Sequence, residues 1–207
     1  MRNQLLSVAV VLSLMAGAGV QAAENRMAPI PPEKYDADQK KAVAEFEAVR
    51  KTGISGPWIP LLRSPEIMTG ARTMGDYLRY RASIGPRLTE FTILVISRDW
   101  TIDFEWAIHA PNALKLGVPQ ATLDALADGR RPTTMTEDEE ICYDFTMELL
   151  RNKRVSDVTY DRALKKFGEK GVIDLVGLNG YYTLLAMTFN TVRLAPADGK
   201  KLPRFPD

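Results

Sequence analysis

The sequence predicts an all-α domain of seven or so helices, and three observations lead there. Apolar residues recur at helical spacing in nearly every long segment. Capping residues stand before those segments and Gly or Gly-Pro after them. No alternating run offers a partner strand for the one segment whose pattern is ambiguous.

Residues 1–22 read as a secretory signal. Arg2 supplies a cationic start, Leu5 to Val20 is apolar and rich in small residues, and Val20-Gln21-Ala22 fits cleavage after Ala22. Cleavage would leave 185 of the 207 residues, enough for one well-buried core. Arg2 goes with the signal, so 26 Lys and Arg face 26 Asp and Glu. A net charge near zero argues against a nucleic-acid binder or an anionic-membrane binder. The expected location is periplasmic or secreted, with no membrane attachment once the signal is gone. A single cysteine, Cys142, leaves no internal disulfide; its setting predicts a small buried core residue.

Residues 23–35, with Pro29, Pro31 and Pro32, suit an extended, poorly ordered leader. The helical domain is expected over residues 36–195, starting at Asp36 and pausing at Gly53. Ser55 to Pro60 is a turn-rich loop holding Trp58. Ser64-Pro65-Glu66 starts a helix to about Tyr80, with serine as the cap and proline in the first turn. Gly85-Pro86 breaks the chain. Leu88 to Trp100 is nearly continuous in apolar and β-branched residues, so its pattern fits a buried strand or a buried helix.

Thr101 to Gly117 reads as a helix with Thr101 as a possible cap and a kink at Pro111, which cannot donate to Ala107. Pro119 to Ala127 is a short helix. Thr136-Glu-Asp-Glu opens the next with a capping-box pattern and runs to Leu149. Ser156 or Asp157 begins a helix to Phe167; Lys170-Gly171 separates it from a last helix over Val172 to Arg193. The tail, 196–207, carries three prolines and should be loosely held.

The chemistry-bearing stretch runs from Arg87 to His109, the only histidine. Glu105 precedes His109 by four residues, so the two share a helix face. A carboxylate there can hold one imidazole nitrogen and favour the protonated ring, leaving the other nitrogen free to move a proton. As an isolated pattern this is more often a surface helix pair. Trp106, Ile102 and Phe104 crowd it with apolar bulk, however, and Glu90 edges the buried run, where a carboxylate needs a partner. No metal or cofactor is expected. Di-iron bundles repeat Glu-x-x-His on two helices, whereas four-residue spacing occurs here once. No G-x-S-x-G elbow or phosphate-cradling glycine loop is present.

Three ordered segments resemble the carboxymuconolactone decarboxylase family of the alkylhydroperoxidase-D-like superfamily: Gly56-Pro-Trp-Ile-Pro-Leu-Leu-Arg-Ser-Pro-Glu66, Pro86-Arg-Leu-Thr-Glu90 and Glu105-Trp-Ala-Ile-His-Ala-Pro111. The similarity spans about residues 33–195. It implies a single helical domain with a central two-helix hairpin carrying the site, assembly as a homo-trimer or hexamer, and helix for Leu88 to Trp100. In the peroxidase branch a glutamate, a Cys-x-x-Cys pair and a histidine occupy that hairpin. Here Glu90 and His109 match the relay positions, while the cysteine positions fall on Ile102 and Glu105. Dithiol chemistry is therefore excluded, and Glu105 resembles the decarboxylase-type branch.

The resulting expectation is a cofactor-free, lyase-like enzyme moving a proton on a small carboxylated or lactone-like compound. His109 would be the general acid/base, Glu105 its orienting carboxylate and Glu90 a second proton carrier or a structural partner. Arg87 or Arg98 would meet the substrate carboxylate, with Trp58, Trp106 and Tyr182 as pocket walls. The alternatives are a thiol peroxidase acting through Cys142 and a non-catalytic periplasmic binding protein.

Overall fold

The computed structural model describes residues 25–194 and Leu202. Among these residues the chain is all-helical: α1 Ala37–Arg50, α2 Trp58–Leu61, α3 Pro65–Arg81, α4 Pro86–Asp99, α5 Asp103–Lys115, α6 Gln120–Ala127, α7 Glu137–Asn152 and α8 Asp157–Val192. The expected signal segment and its cleavage point lie outside the described residues.

The ambiguous apolar run is α4, and its position explains its composition. It packs against α3, α5, α6, α7 and α8, so every residue from Leu88 to Arg98 is buried. A helix enclosed on all sides has no polar stripe to reveal its period. β-branched residues tolerate such a helix because packing outweighs their modest intrinsic cost.

Caps account for several boundaries. Asp36 with Gln39, and Thr136 with Glu139, form reciprocal capping boxes at the starts of α1 and α7. Ser156 accepts from the Thr159 amide at the start of α8. Two expected caps are not made. Ser64 makes no side-chain cap bond, so Pro65 alone supplies the preset first turn of α3. Thr101 lies at φ 52, outside the helix, and Ile102 takes the N-cap position of α5.

Two further differences have local causes. The loop at 55–60 closes into the one-turn α2. The helix α5 runs through Pro111 to Lys115 as expected, its bonding resumed where the Leu116 amide donates to Asn112 O at 3.0 Å. The last break falls at Gly168, whose φ 67 and ψ 177 interrupt α8, and not at Lys170-Gly171. Only glycine adopts that conformation at little cost, which is why the interruption sits there. Gly171 is buried inside the helix that follows.

Among the described residues α8 alone is long and apolar enough to cross a bilayer by length and composition. Its Leu175, Leu178, Leu185 and Phe189 nevertheless lie in the protein core. The leader is tied down over its described part: the Arg26 amide donates to Val192 O at 2.9 Å and Arg63 Nη2 to Ala28 O at 2.6 Å. In the tail, Leu202 is buried and its amide donates to Asp103 Oδ1 at 2.6 Å, docking it at the start of α5.

Candidate functional site

The hairpin α4–α5 builds the site. Glu90 lies in the first turns of α4, while Glu105 and His109 lie one turn apart on α5. The connection between the helices is closed by the Ile102 amide donating to Ser97 O at 2.8 Å. That tight link sets α5 against α4 and brings His109 to Glu90.

His109 Nδ1 is 2.5 Å from Glu90 Oε2, and His109 Nε2 is 3.1 Å from Glu105 Oε2. The imidazole is 1% exposed, and both carboxylates are buried with it. Ionised carboxylates only accept, so a ring held this way carries a proton on both nitrogens. Burial by itself lowers the histidine pKa, but the hydrogen bonds and charges of Glu105 and Glu90 overcome it and raise the value above the ordinary one. The expectation of one free ring nitrogen is thus corrected, because Glu90 takes the nitrogen that Glu105 leaves. The two carboxylates grip opposite sides of the ring and do not converge with it on a common point.

Glu105 and His109 open on a cavity of about 130 Å³. Its apolar walls include Trp58, Phe104 and Tyr182, and the Tyr182 ring meets the imidazole edge-on at a centroid distance of 5.5 Å. Gly56 shapes one wall. At φ 56 it lets the loop before α2 lie on the Phe104 ring, and a Cβ there would fall 2.5 Å from Phe104 Cζ. Glu90 is not on the wall; it backs His109 from α4.

The other nominated residues sit elsewhere. Arg87 donates from Nε and Nη2 to Glu139 Oε1 at 3.0 and 2.9 Å, tying α4 to the buried start of α7. Arg98 is buried at a different cavity, with Val95, Leu126 and Tyr143. Trp106 packs against the core without lining the His109 cavity. Two cations the sequence reading passed over do line it: Arg50 at the end of α1 and Arg79 near the end of α3. Neither lies near His109 in sequence, so no local pattern could have nominated them. Cys142 is fully buried in α7, and burial pushes its thiol up to about 12.

Two solved structures share this architecture. One is the alkylhydroperoxidase AhpD core protein from Ralstonia eutropha JMP134, an uncharacterised peroxidase-related protein. It is 12% identical with a TM-score of 0.67, over 84% of this chain and 93% of that one. The other is an uncharacterised peroxidase-related protein from Silicibacter sp. TM1040, 10% identical with a TM-score of 0.67, over 90% of this chain and 100% of that one. The fold is that of the AhpD core. At these identities the likeness concerns the fold alone. No protein-family model matches the sequence, and no curated protein matches it. On this AhpD-type frame the hairpin carries a carboxylate–imidazole–carboxylate chain, with Ile102 and Glu105 three residues apart ahead of the histidine.

Proposed function

We propose that the protein is an acid–base enzyme acting on a small carboxylated or lactone-like compound, by isomerisation or by decarboxylation. The observation that carries this reading is the buried Glu90–His109–Glu105 chain with one end opening on a cavity. Glu105 stands on the cavity wall and exchanges the proton with substrate. His109 donates to Glu105 through Nε2 and can hand it the proton that Glu105 delivers, and Glu90 stabilises the imidazolium through Nδ1. In isomerisation Glu105 takes a proton from one carbon and returns it to another. In decarboxylation the chain delivers a proton to the carbanion left as CO₂ departs. The apolar walls raise the strength of each electrostatic contact by excluding water.

Solvent-deuterium exchange tests this. Carboxylated lactones and related carbon acids are incubated in D₂O and followed by NMR; exchange with the wild-type protein, slowed by about 10²- to 10⁴-fold in His109→Gln and Glu105→Gln, is expected. The names of the structural relatives suggest peroxidase chemistry instead. That reading requires a reactive thiol, and Cys142 is buried with its pKa pushed up.

Assembly as a homo-trimer or hexamer belongs to the same proposal. Ile173, Val176 and Met187 on α8 and Met74 on α3 are exposed apolar side chains suited to contact between copies. Light scattering of the purified protein measures it. Export through the N-terminal segment is likewise proposed, and N-terminal sequencing of periplasmic material should begin at Ala23.

A further inference from the structure

The cavity holds more positive charge than its carboxylates need. Arg50 and Arg79 both line it, and both also line an outer cavity of about 670 Å³ that adds Asp76, Tyr80 and Arg81. The two guanidiniums thus stand where the inner and outer spaces meet. They are not equivalent. Arg50 lies 2.8 Å from Asp76 Oδ1 and packs over Trp58, 4.9 Å from its ring centroid. Asp76 also takes Arg72, at 3.3 Å. Arg79 has no ion-pair partner among the described residues; its guanidinium lies over the Tyr80 ring at 5.3 Å, and its Nε, like that of Arg50, is buried without a hydrogen-bond partner.

Arg50 and Arg72 share Asp76, and His109 is held between Glu90 and Glu105, so Arg79 is the cation on the inner cavity with no carboxylate paired to it. A partly buried cation with an unused donor is stabilised by an anion that brings its own acceptors. One guanidinium without a carboxylate on the inner cavity is balanced by a single carboxylate, whose two oxygens match its planar donors. Volume limits the body of the ligand: at about 130 Å³ the inner cavity is slightly smaller than the ~150 Å³ that holds benzene, so one ring fills it and the anionic group lies at Arg79, where the outer cavity begins. Trp58, Phe104 and Tyr182 supply flat apolar walls for such a ring.

We infer that Arg79 binds the anionic group of the substrate, and that the substrate is a ring-sized monocarboxylate seated between Trp58, Phe104 and Tyr182 with its reacting atom toward Glu105. This assignment rests on the acid–base reading of the site. It replaces Arg87 and Arg98 as the carboxylate-binding cation, since Arg87 is tied to Glu139 and Arg98 lies at another cavity.

Titration calorimetry on the full chain tests it, with benzoate, benzamide and phenyl phosphate as probes. Benzoate should bind at least about tenfold more tightly than benzamide and phenyl phosphate. Arg79→Met should weaken benzoate by about 10- to 100-fold and leave benzamide unchanged, while Arg79→Lys recovers part of the loss. Arg130→Met, which removes an exposed arginine paired with Asp128, should change nothing. Unchanged benzamide affinity in Arg79→Met also shows that this variant keeps the folded cavity. Equal benzoate affinity in wild type and Arg79→Met, equal affinity for benzoate and benzamide, tighter phenyl phosphate, or no benzoate binding each overturns the assignment. The two proposals separate cleanly: Arg79-dependent benzoate binding without any deuterium exchange defeats the acid–base reading, and Glu105-dependent exchange with Arg79-independent binding defeats this one.

Discussion

Glu90 Oε2 lies 2.5 Å from His109 Nδ1, across nineteen residues of chain, so the imidazole that Glu105 already holds through Nε2 has no unoccupied nitrogen. The site is therefore a carboxylate-clamped imidazolium. In the proposed mechanism its reactive edge is the carboxylate facing the cavity, with the histidine behind it.

The protonation state of that ring is directly measurable. Because the protein has one histidine, its imidazole NMR signals need no assignment. The folded pKa is raised, so the ring should remain protonated at pH values where a free histidine, near 6.5, has lost its proton. The linked stability has a definite sign. It is fully present below about pH 6.5 and is lost as pH rises through the folded value. Wild-type Tm should fall over that alkaline window, and the fall should be absent in His109→Gln.

Removing either end of the chain has different consequences. Glu105→Gln and His109→Gln should each slow deuterium exchange by about 10²- to 10⁴-fold. Glu90→Gln keeps the carboxylate on the cavity wall but removes a stabiliser of the imidazolium. Its residual rate should show a pH profile shifted to lower pH.

Arg87→Met should act on stability alone. It leaves the Glu139 carboxylate, 0% exposed, with only its Thr136 capping partners. A loss of about 1–3 kcal/mol in urea unfolding is expected, with benzoate affinity unchanged.

The cysteine should be silent. With Cys142 buried and its pKa near 12, the native protein should not react with a thiol reagent at neutral pH and should react fully once unfolded. Cys142→Ser should keep any exchange activity while losing about 1–3 kcal/mol of stability from a buried hydroxyl.

Gly56→Ala places a Cβ 2.5 Å from Phe104 Cζ at a backbone φ of 56. The left-handed conformation alone costs about 1–2 kcal/mol, and the displaced ring alters a cavity wall. A lower Tm together with weakened benzoate binding is the expected outcome; an unchanged Tm with unchanged binding would show that the loop relaxes freely.

Local chemistry was legible wherever neighbours in sequence are neighbours in space. The Thr136–Glu139 box, the Ser156 cap and the shared face of Glu105 and His109 each need only one helical turn. Pattern alone did not assign α4, because a helix buried on all sides shows no period. Thr101 read as a cap although its backbone is left-handed, since the turn that brings Ile102 onto Ser97 decides that conformation.

By itself the sequence determined the all-helical class, most helix starts, the absence of a cysteine pair on the hairpin and the pairing of His109 with Glu105. The helix starts and the pairing follow from residue type and spacing within a turn or two; the helical state of α4 and the hairpin rest on the family resemblance. Only the tertiary structure decided that Glu90 closes on the second ring nitrogen, that Arg87 spends its donors on Glu139, and that Arg50 and Arg79 reach the cavity from α1 and α3. Those relationships depend on how the helices pack, and electrostatic partnership at 3 Å is set by that packing, whatever the distance along the chain.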